Sequence, residues 1–464
     1  MSEEMKALRE QLLRHDKHGY DPLDEAQLAE MEAYCADYKA FLNAGKTERL
    51  SARAAIAAAE AKGFVQYKRG MALKAGDKVY TCNRGKGLML AVIGKESLAE
   101  GVQIAAAHID SPRLDLKPTP LYEDSEMAYF KTHYYGGIRK YQWVTIPLQL
   151  RGVVAKKDGS VVDVCIGEAG APQLVIPDLL PHLGGEQGRK PLNEAVPGET
   201  LNLLVGSRPI GDSEDKDRVK LHVMKRLHDK YGITESDFAS AELEAVPAAE
   251  AVDIGIDGSM IGSYGHDDRV CGYAALRALL DIETPDKTAV CVLADKEEIG
   301  SMGVTGMQSA AFDAFMSDLC DGQNVPLKAC FENAFCLSAD VTAAYDPNFA
   351  DVYEKKNAAF VNYGVGICKY TGARGKSGSS DANAETVAYV RAVLDGAGVR
   401  WQICELGKID AGGGGTVAQY MANRNIATLD AGVPVLSMHA PFEVVAKVDC
   451  YEMYRACKAL YEAR

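Results

Sequence analysis

Over the first sixty residues, apolar positions recur at helical spacing between charged ones. The alanine-rich run SARAAIAAAEAKGF continues that rhythm, so residues 1–62 are predicted to be helical. At Lys78 the period shortens: KVYTCNRGKGLMLAVIG sets a glycine-containing turn between two apolar runs, which predicts a hairpin. GVQIAAAHIDSP follows as an apolar strand ending in polar residues and a proline. From roughly 118 to 250 the chain changes character. An aromatic segment (YFKTHYYGGIRKYQW) leads to a hairpin, VVAKKDGSVVDVCIG, with its turn at Lys157-Asp158-Gly159-Ser160. Loops punctuated by proline and glycine come next, and then a charged helical run, DSEDKDRVKLHVMKRLHDKYG. The whole stretch reads as a mostly β module inserted into the chain.

Beyond Val252, strands and helices alternate. TAVCVLAD, FCLSAD, AAFVNYGVGI, WQICELG and ATLDAGVPVLSMHA are predicted strands; RVCGYAALRALLD, NAETVAYVRAVLDGAG and TVAQYMANR are predicted helices. The last helix is expected to open at Asp449, with Glu452 at capping-box spacing. Such alternation predicts an α/β fold, a mainly parallel sheet flanked by helices on both faces. Residues 1–117 and 251–464 are expected to form this domain, interrupted by a β-rich module at 118–250.

Composition narrows the function. A chain of 464 residues has room for two or three domains and buries a core without disulfide or metal staples. A net charge of −14, with no run of Lys or Arg, argues against a nucleic-acid partner. The amino-terminal sequence has no apolar signal core, and no stretch reaches the ~18 apolar residues of a membrane span, so a cytoplasmic location is expected. The twelve cysteines are scattered without a C-x-x-C pair and are read as reduced thiols.

Several apolar strands end in His, Asp or Glu, where ligands bind in α/β sheets. They are Ala106-Ala107-His108-Ile109-Asp110, Leu293-Ala294-Asp295-Lys296-Glu297-Glu298, Leu337-Ser338-Ala339-Asp340 and Leu436-Ser437-Met438-His439. A fifth segment, Gly265-His266-Asp267-Asp268-Arg269, directly precedes a helix. His108 and Asp110 are two apart, so on a strand they share a face, and the carboxylate can fix the imidazole for a metal. Glu297 and Glu298 repel each other and add nothing to packing. They suit a division of labour in which one ligates metal and the other takes a proton from water. Asp267-Asp268 could form a surface ion cluster or supply a carboxylate shared by two cations. Singly, each residue has a plainer structural reading. Together they form a mixed nitrogen and oxygen donor set that suits zinc, with manganese or cobalt as alternatives. H-E-x-x-H is absent. Gly375-Lys376-Ser377 lacks the leading glycine of a P-loop, since position 370 is tyrosine. The run Ala411-Gly412-Gly413-Gly414-Gly415-Thr416 is read as a close-approach loop lining a substrate cleft.

The order AAHIDSPRLDLKP, GHDDRV, ADKEEIGSMG, LSADVTAAYDPNF and LSMHAPFE, over essentially the full length, resembles the aspartyl aminopeptidase / aminopeptidase I family of metallopeptidases, in its bacterial branch. The resemblance implies the fold of the co-catalytic zinc exopeptidases, with the insert acting as a dimerisation domain. It implies two metal ions per subunit. His108 would ligate one, oriented by Asp110, with Asp340 completing that site. Asp267 would bridge both metals, with a cis peptide to Asp268. Glu298 and His439 would complete the second site, and Glu297 would be the general base. It also implies hydrolysis of the N-terminal residue from peptides, and a homododecamer built from dimers. Eukaryotic relatives carry, a few residues after a Gly-Gly pair, a histidine that reaches a neighbouring active site; after Gly136-Gly137 this chain has Lys140, with His133 nearby but unmatched. The residues leave open a carboxypeptidase or deacylase on the same scaffold, or a non-catalytic peptide-binding assembly. The preferred N-terminal residue is also open, with Arg374, Lys376 or Lys140 available to form an acid-binding pocket.

Overall fold

The long apolar runs become strands buried on both faces, as their composition requires. In the computed structural model, which describes residues 2–14, 16–21, 23–372 and 374–464, the largest sheet has nine strands. Four at its centre run parallel, in the order Thr288–Ala294, Val102–His108, Phe335–Ala339 and Ala427–Gly432. Antiparallel neighbours flank this block: Gly87–Val92 on one side and Val365–Cys368 on the other. Alternate residues of the central strands feed two cores. Ala105, Ala107, Cys291, Leu293 and Leu337 pack under the helices His266–Leu280 and Lys447–Glu462. Ile104, Ala106, Val290 and Val292 pack under the helix Ala311–Asp321, against Phe312, Phe315, Met316 and Leu319. A parallel sheet covered on both faces needs this continuous apolar character.

A second, antiparallel sheet of six strands spans Arg113 to Pro247. Its order is Val161–Ile166, Leu148–Ala155, Ala241–Pro247, Arg113–Asp124, Met127–Tyr135 and Leu203–Gly206. The helix Arg218–Tyr231 covers it over a separate core that includes Leu114, Phe130, Leu150, Phe238 and Leu243. The predicted hairpins at 78–92 and 148–166 are both present. A third sheet of five short strands holds Val252–Ile254, Met260–Ser263, Glu443–Ala446, Pro434–Leu436 and Thr342–Ala343.

The amino-terminal segment, expected to be helical, forms three helices, Glu3–Leu12, Glu25–Ala44 and Glu48–Ala61. The break before the second helix is set by Asp24, which forms a reciprocal capping box with Gln27; residues 1, 15 and 22 lie outside the described residues. The last helix begins at Lys447, not Asp449, without a side-chain cap. Asp449 instead accepts the backbone N–H groups of Asn362 and Gly364, and Glu452 accepts that of Arg400. Both carboxylates serve neighbouring loops instead of the helix end. Among the described residues, no helix is long and apolar enough to cross a membrane.

Candidate metal centre

The carboxyl ends of the central parallel strands converge at one edge of the large sheet. His108 is the last residue of its strand, and Asp340 follows directly after Phe335–Ala339. Glu297 and Glu298 open a short 3-10 turn beyond Thr288–Ala294, bounded by Lys296 and Gly300, both in the left-handed region. The other two ligand candidates come from the five-stranded sheet. Asp267 lies in the first turn of the helix that follows Met260–Ser263, and His439 lies just past Pro434–Leu436. The peptide bond between Asp267 and Asp268 is cis.

All five predicted ligands meet. His108, Asp267 and Asp340 each bring one donor atom to within 4.8 Å of the others, and so do Asp267, Glu298 and His439. Asp267 belongs to both groups. The imidazoles are oriented by carbonyls. His108 Nδ1 is 2.9 Å from the backbone oxygen of Asp110, and His439 Nδ1 is 2.8 Å from that of Gly137. A carbonyl only accepts, so each Nδ1 carries the proton and each Nε2 is left to face the carboxylates. The expectation that Asp110 orients His108 therefore takes a modified form. Asp110 lies past the strand end, its main chain holds the ring, and its carboxylate Oδ1 is 3.4 Å from Nδ1. That carboxylate has further work. It accepts the backbone N–H groups of Glu297 and Glu298, each at 3.2 Å, and so fixes the turn that carries both glutamates.

The electrostatics fit bound cations. Burial opposes the charge of Asp267, yet the adjoining His108 and His439 rings hold its carboxyl well below the usual range. Burial pushes Glu297 up to about 7, with Asp110 and Asp267 adding to it. Glu298 and Asp340 are driven well above the normal range by burial and then by neighbouring aspartates. Asp267 Oδ1 and Glu298 Oε1 are buried and meet no hydrogen-bond donor among the described residues. Excess buried carboxylate and unpaired oxygens fit residues that hold divalent cations. The mixed donors suit zinc.

The cluster opens into a cavity of about 500 Å³. Gly413, Gly414 and Gly415 line it, in agreement with the close-approach reading of that loop, and Thr416 anchors the loop by donating to Asp430 at 2.7 Å. Val341, Thr342, Cys368, Leu406 and Met438 supply much of the remaining wall. Lys376 pairs with Asp381 at 3.2 Å, and among the described residues neither it nor Arg374 or Lys140 lines the cavity. His266 is buried between Tyr38 Oη at 2.8 Å and the Ile261 carbonyl at 3.1 Å, a structural role.

Sequence reasoning missed Glu443, whose buried carboxylate accepts the backbone N–H groups of Asp267 (3.1 Å) and His439 (2.7 Å). Its position four residues after His439 was the available signal. It also missed Tyr135 and Gly137, which reach the site from the six-stranded sheet and are remote in sequence from what they touch.

Comparisons with known proteins place the whole chain. Residues 41–461 match the family model described as aminopeptidase I zinc metalloprotease (M18). A probable M18 family aminopeptidase 1 from Clostridium acetobutylicum is 48% identical over 450 residues, covering 95% of this chain and 97% of that protein. The crystal structure of an M18-family aminopeptidase from Thermotoga maritima has a TM-score of 0.93 at 42% identity, covering 97% of this chain and 99% of that one. At 20% identity, where likeness speaks for the fold alone, the mApe1 dodecamer of S. cerevisiae has a TM-score of 0.75, covering 94% of this chain and 97% of that one. A cluster of donor groups able to hold metal, in an α/β fold with a family match across most of the length, identifies the chain as a metallo-aminopeptidase belonging to the M18, or aminopeptidase I, family of zinc metalloproteases.

Proposed function

We propose that this aminopeptidase works with two divalent metal ions, zinc by preference. His108 and Asp340 would hold one, Glu298 and His439 the other, and Asp267 would bridge them. The observation that carries this reading is Asp267 itself, which presents one oxygen to each histidine. When bound, such a pair of cations supplies an acidified water and a positive clamp on the scissile carbonyl. The protein's own part falls to Glu297. It lines the cavity with Oε2 3.9 Å from His108 Nε2, without belonging to either ligand group. Its carboxylate is placed to take a proton from the attacking water and deliver it to the departing amine. Asp110 keeps Glu297 and Glu298 in place through their backbone N–H groups.

The wall formed by Val341, Thr342, Cys368, Leu406 and Met438 suits an uncharged N-terminal side chain. We further propose that the segment 118–250 is a dimerisation module within a homododecamer, by analogy with the yeast assembly, and that the enzyme is cytoplasmic.

The test is hydrolysis of acidic and apolar aminoacyl chromogenic substrates, alongside N-acylated peptides, by protein loaded with Zn²⁺, Mn²⁺ or Co²⁺. Chelator-sensitive cleavage of apolar free-amine substrates, lost in Glu297→Gln while metal stays bound, is the expected result. Cleavage confined to acylated peptides would overturn the reading in favour of a deacylase.

A further inference from the structure

The carboxylate of Asp110 is a junction between the two halves of the site. It lies against the ring of His108, on the first metal's side, and fixes the turn bearing Glu297 and Glu298. Its fourth contact comes from outside the α/β domain. Tyr135, at the end of the strand Met127–Tyr135 in the six-stranded sheet, donates its hydroxyl to Asp110 Oδ2 at 2.8 Å.

The tyrosine is itself held firmly. It is buried, and the guanidinium of Arg113 lies 3.8 Å from its ring centroid, a cation–π distance that fixes the plane of the ring. Arg113 is in turn held by Asp115 at 2.8 Å, Glu244 at 3.3 Å and Glu48 at 3.4 Å. Two of these partners, Asp115 and Glu244, belong to the six-stranded sheet. The hydroxyl therefore reaches Asp110 from a rigid support rather than a loose loop.

We infer that Tyr135 is a positioning residue for the metal centre, through which the inserted sheet holds Asp110 and so both the His108 site and the turn that carries Glu298. The inference rests on the metal-ligand reading above. Partners that orient a ligand's own neighbours govern metal affinity without touching metal, and losing one typically costs about 10–100-fold.

The experiment uses Tyr135→Phe in the full chain, which removes the hydroxyl and keeps the ring on Arg113. Zn²⁺ affinity is measured by competition with a chromophoric chelator in two backgrounds. His439→Ala leaves the His108 site to be read, and His108→Ala leaves the His439 site. Tyr135→Phe is expected to weaken Zn²⁺ by about 10–100-fold in both backgrounds, because Asp110 faces the His108 ring and also holds the backbone N–H of Glu298, and to leave the melting temperature of the metal-free protein unchanged. Unchanged affinity in both backgrounds, or a loss accompanied by a lowered melting temperature, would overturn the assignment. Wild-type protein that binds no divalent metal would instead sink the ligand assignment, and this inference with it.

Discussion

Asp267 stands between the two histidines of the site, with Oδ1 3.2 Å from His108 Nε2 and Oδ2 3.2 Å from His439 Nε2. On the two-metal reading proposed above, a carboxylate so placed couples the fates of both metal positions. Asp267→Asn is expected to deplete both sites together. Asp340→Asn should deplete only the His108 side, and His439→Ala only the other. Affinity should fall by at least about 100-fold at each affected site, since even outer partners of a ligand are worth about 10–100-fold. Metal analysis after gel filtration under limiting Zn²⁺ checks the pattern, and one metal retained by Asp267→Asn would contradict a bridge.

Glu297 lies in the cavity without joining either ligand group, so its loss should spare binding and remove chemistry. Glu297→Gln is expected to lower kcat by about 10²–10⁴-fold with KM and metal content near wild type, the usual worth of a general base. Steady-state kinetics paired with metal analysis is the check. A large rise in KM with kcat intact would move Glu297 from proton transfer to substrate binding.

Metal and protons compete for the same nitrogens. Burial works against a charge on His439, but the bond to Asp267 and the charge of Glu298 raise it to about 10. In the metal-free protein the imidazolium is therefore favoured at neutral pH, and ligation must displace its proton. Zn²⁺ affinity should fall as pH drops from 8 to 6, by about tenfold per unit for each proton displaced. Calorimetry in two buffers of different ionisation enthalpy would read the proton release directly. A pH-independent affinity would argue against His439 as a ligand.

His266 behaves in the opposite way. Burial depresses it to about 3, and its two hydrogen bonds hold the neutral ring. The unfolded chain binds this proton near the ordinary histidine value, so the unfolded state holds more protons across the interval between. Stability from this residue is fully present above that ordinary value and is lost as pH falls towards 3, at about 1.4 kcal/mol per unit. Denaturant titrations of metal-free protein at pH 7 and pH 5 should show this loss, and His266→Phe should show a shallower one. Identical slopes would remove His266 as a cause of acid sensitivity.

The candidate site was legible because its residues punctuate apolar runs. His108 and Asp340 stand where buried strands end, and a polar residue there is informative because the preceding residues are so apolar. His439 was found by the same pattern and Asp267 as an acidic pair before a helix, but both follow strands of the five-stranded sheet, not of the large one. Short strands such as Met260–Ser263 and Pro434–Leu436 pair through distant residues, so their sheet cannot be read from local period. The capping-box reading of Asp449 and Glu452 failed for a related reason. Spacing shows what a side chain can reach locally, while a buried backbone donor from elsewhere can outcompete it.

The sequence by itself determined which segments are buried, which periods they follow and which strand ends carry metal-binding chemistry. These depend on local composition, and burial of apolar area acts wherever the partner surface comes from. Only the tertiary structure decided that Tyr135 would meet Asp110, that Gly137 would meet His439, and that Glu443 would bind the backbone of both Asp267 and His439. Those contacts depend on strand order and on where the six-stranded sheet docks. Both are set by long-range packing, which leaves no periodic trace in the chain.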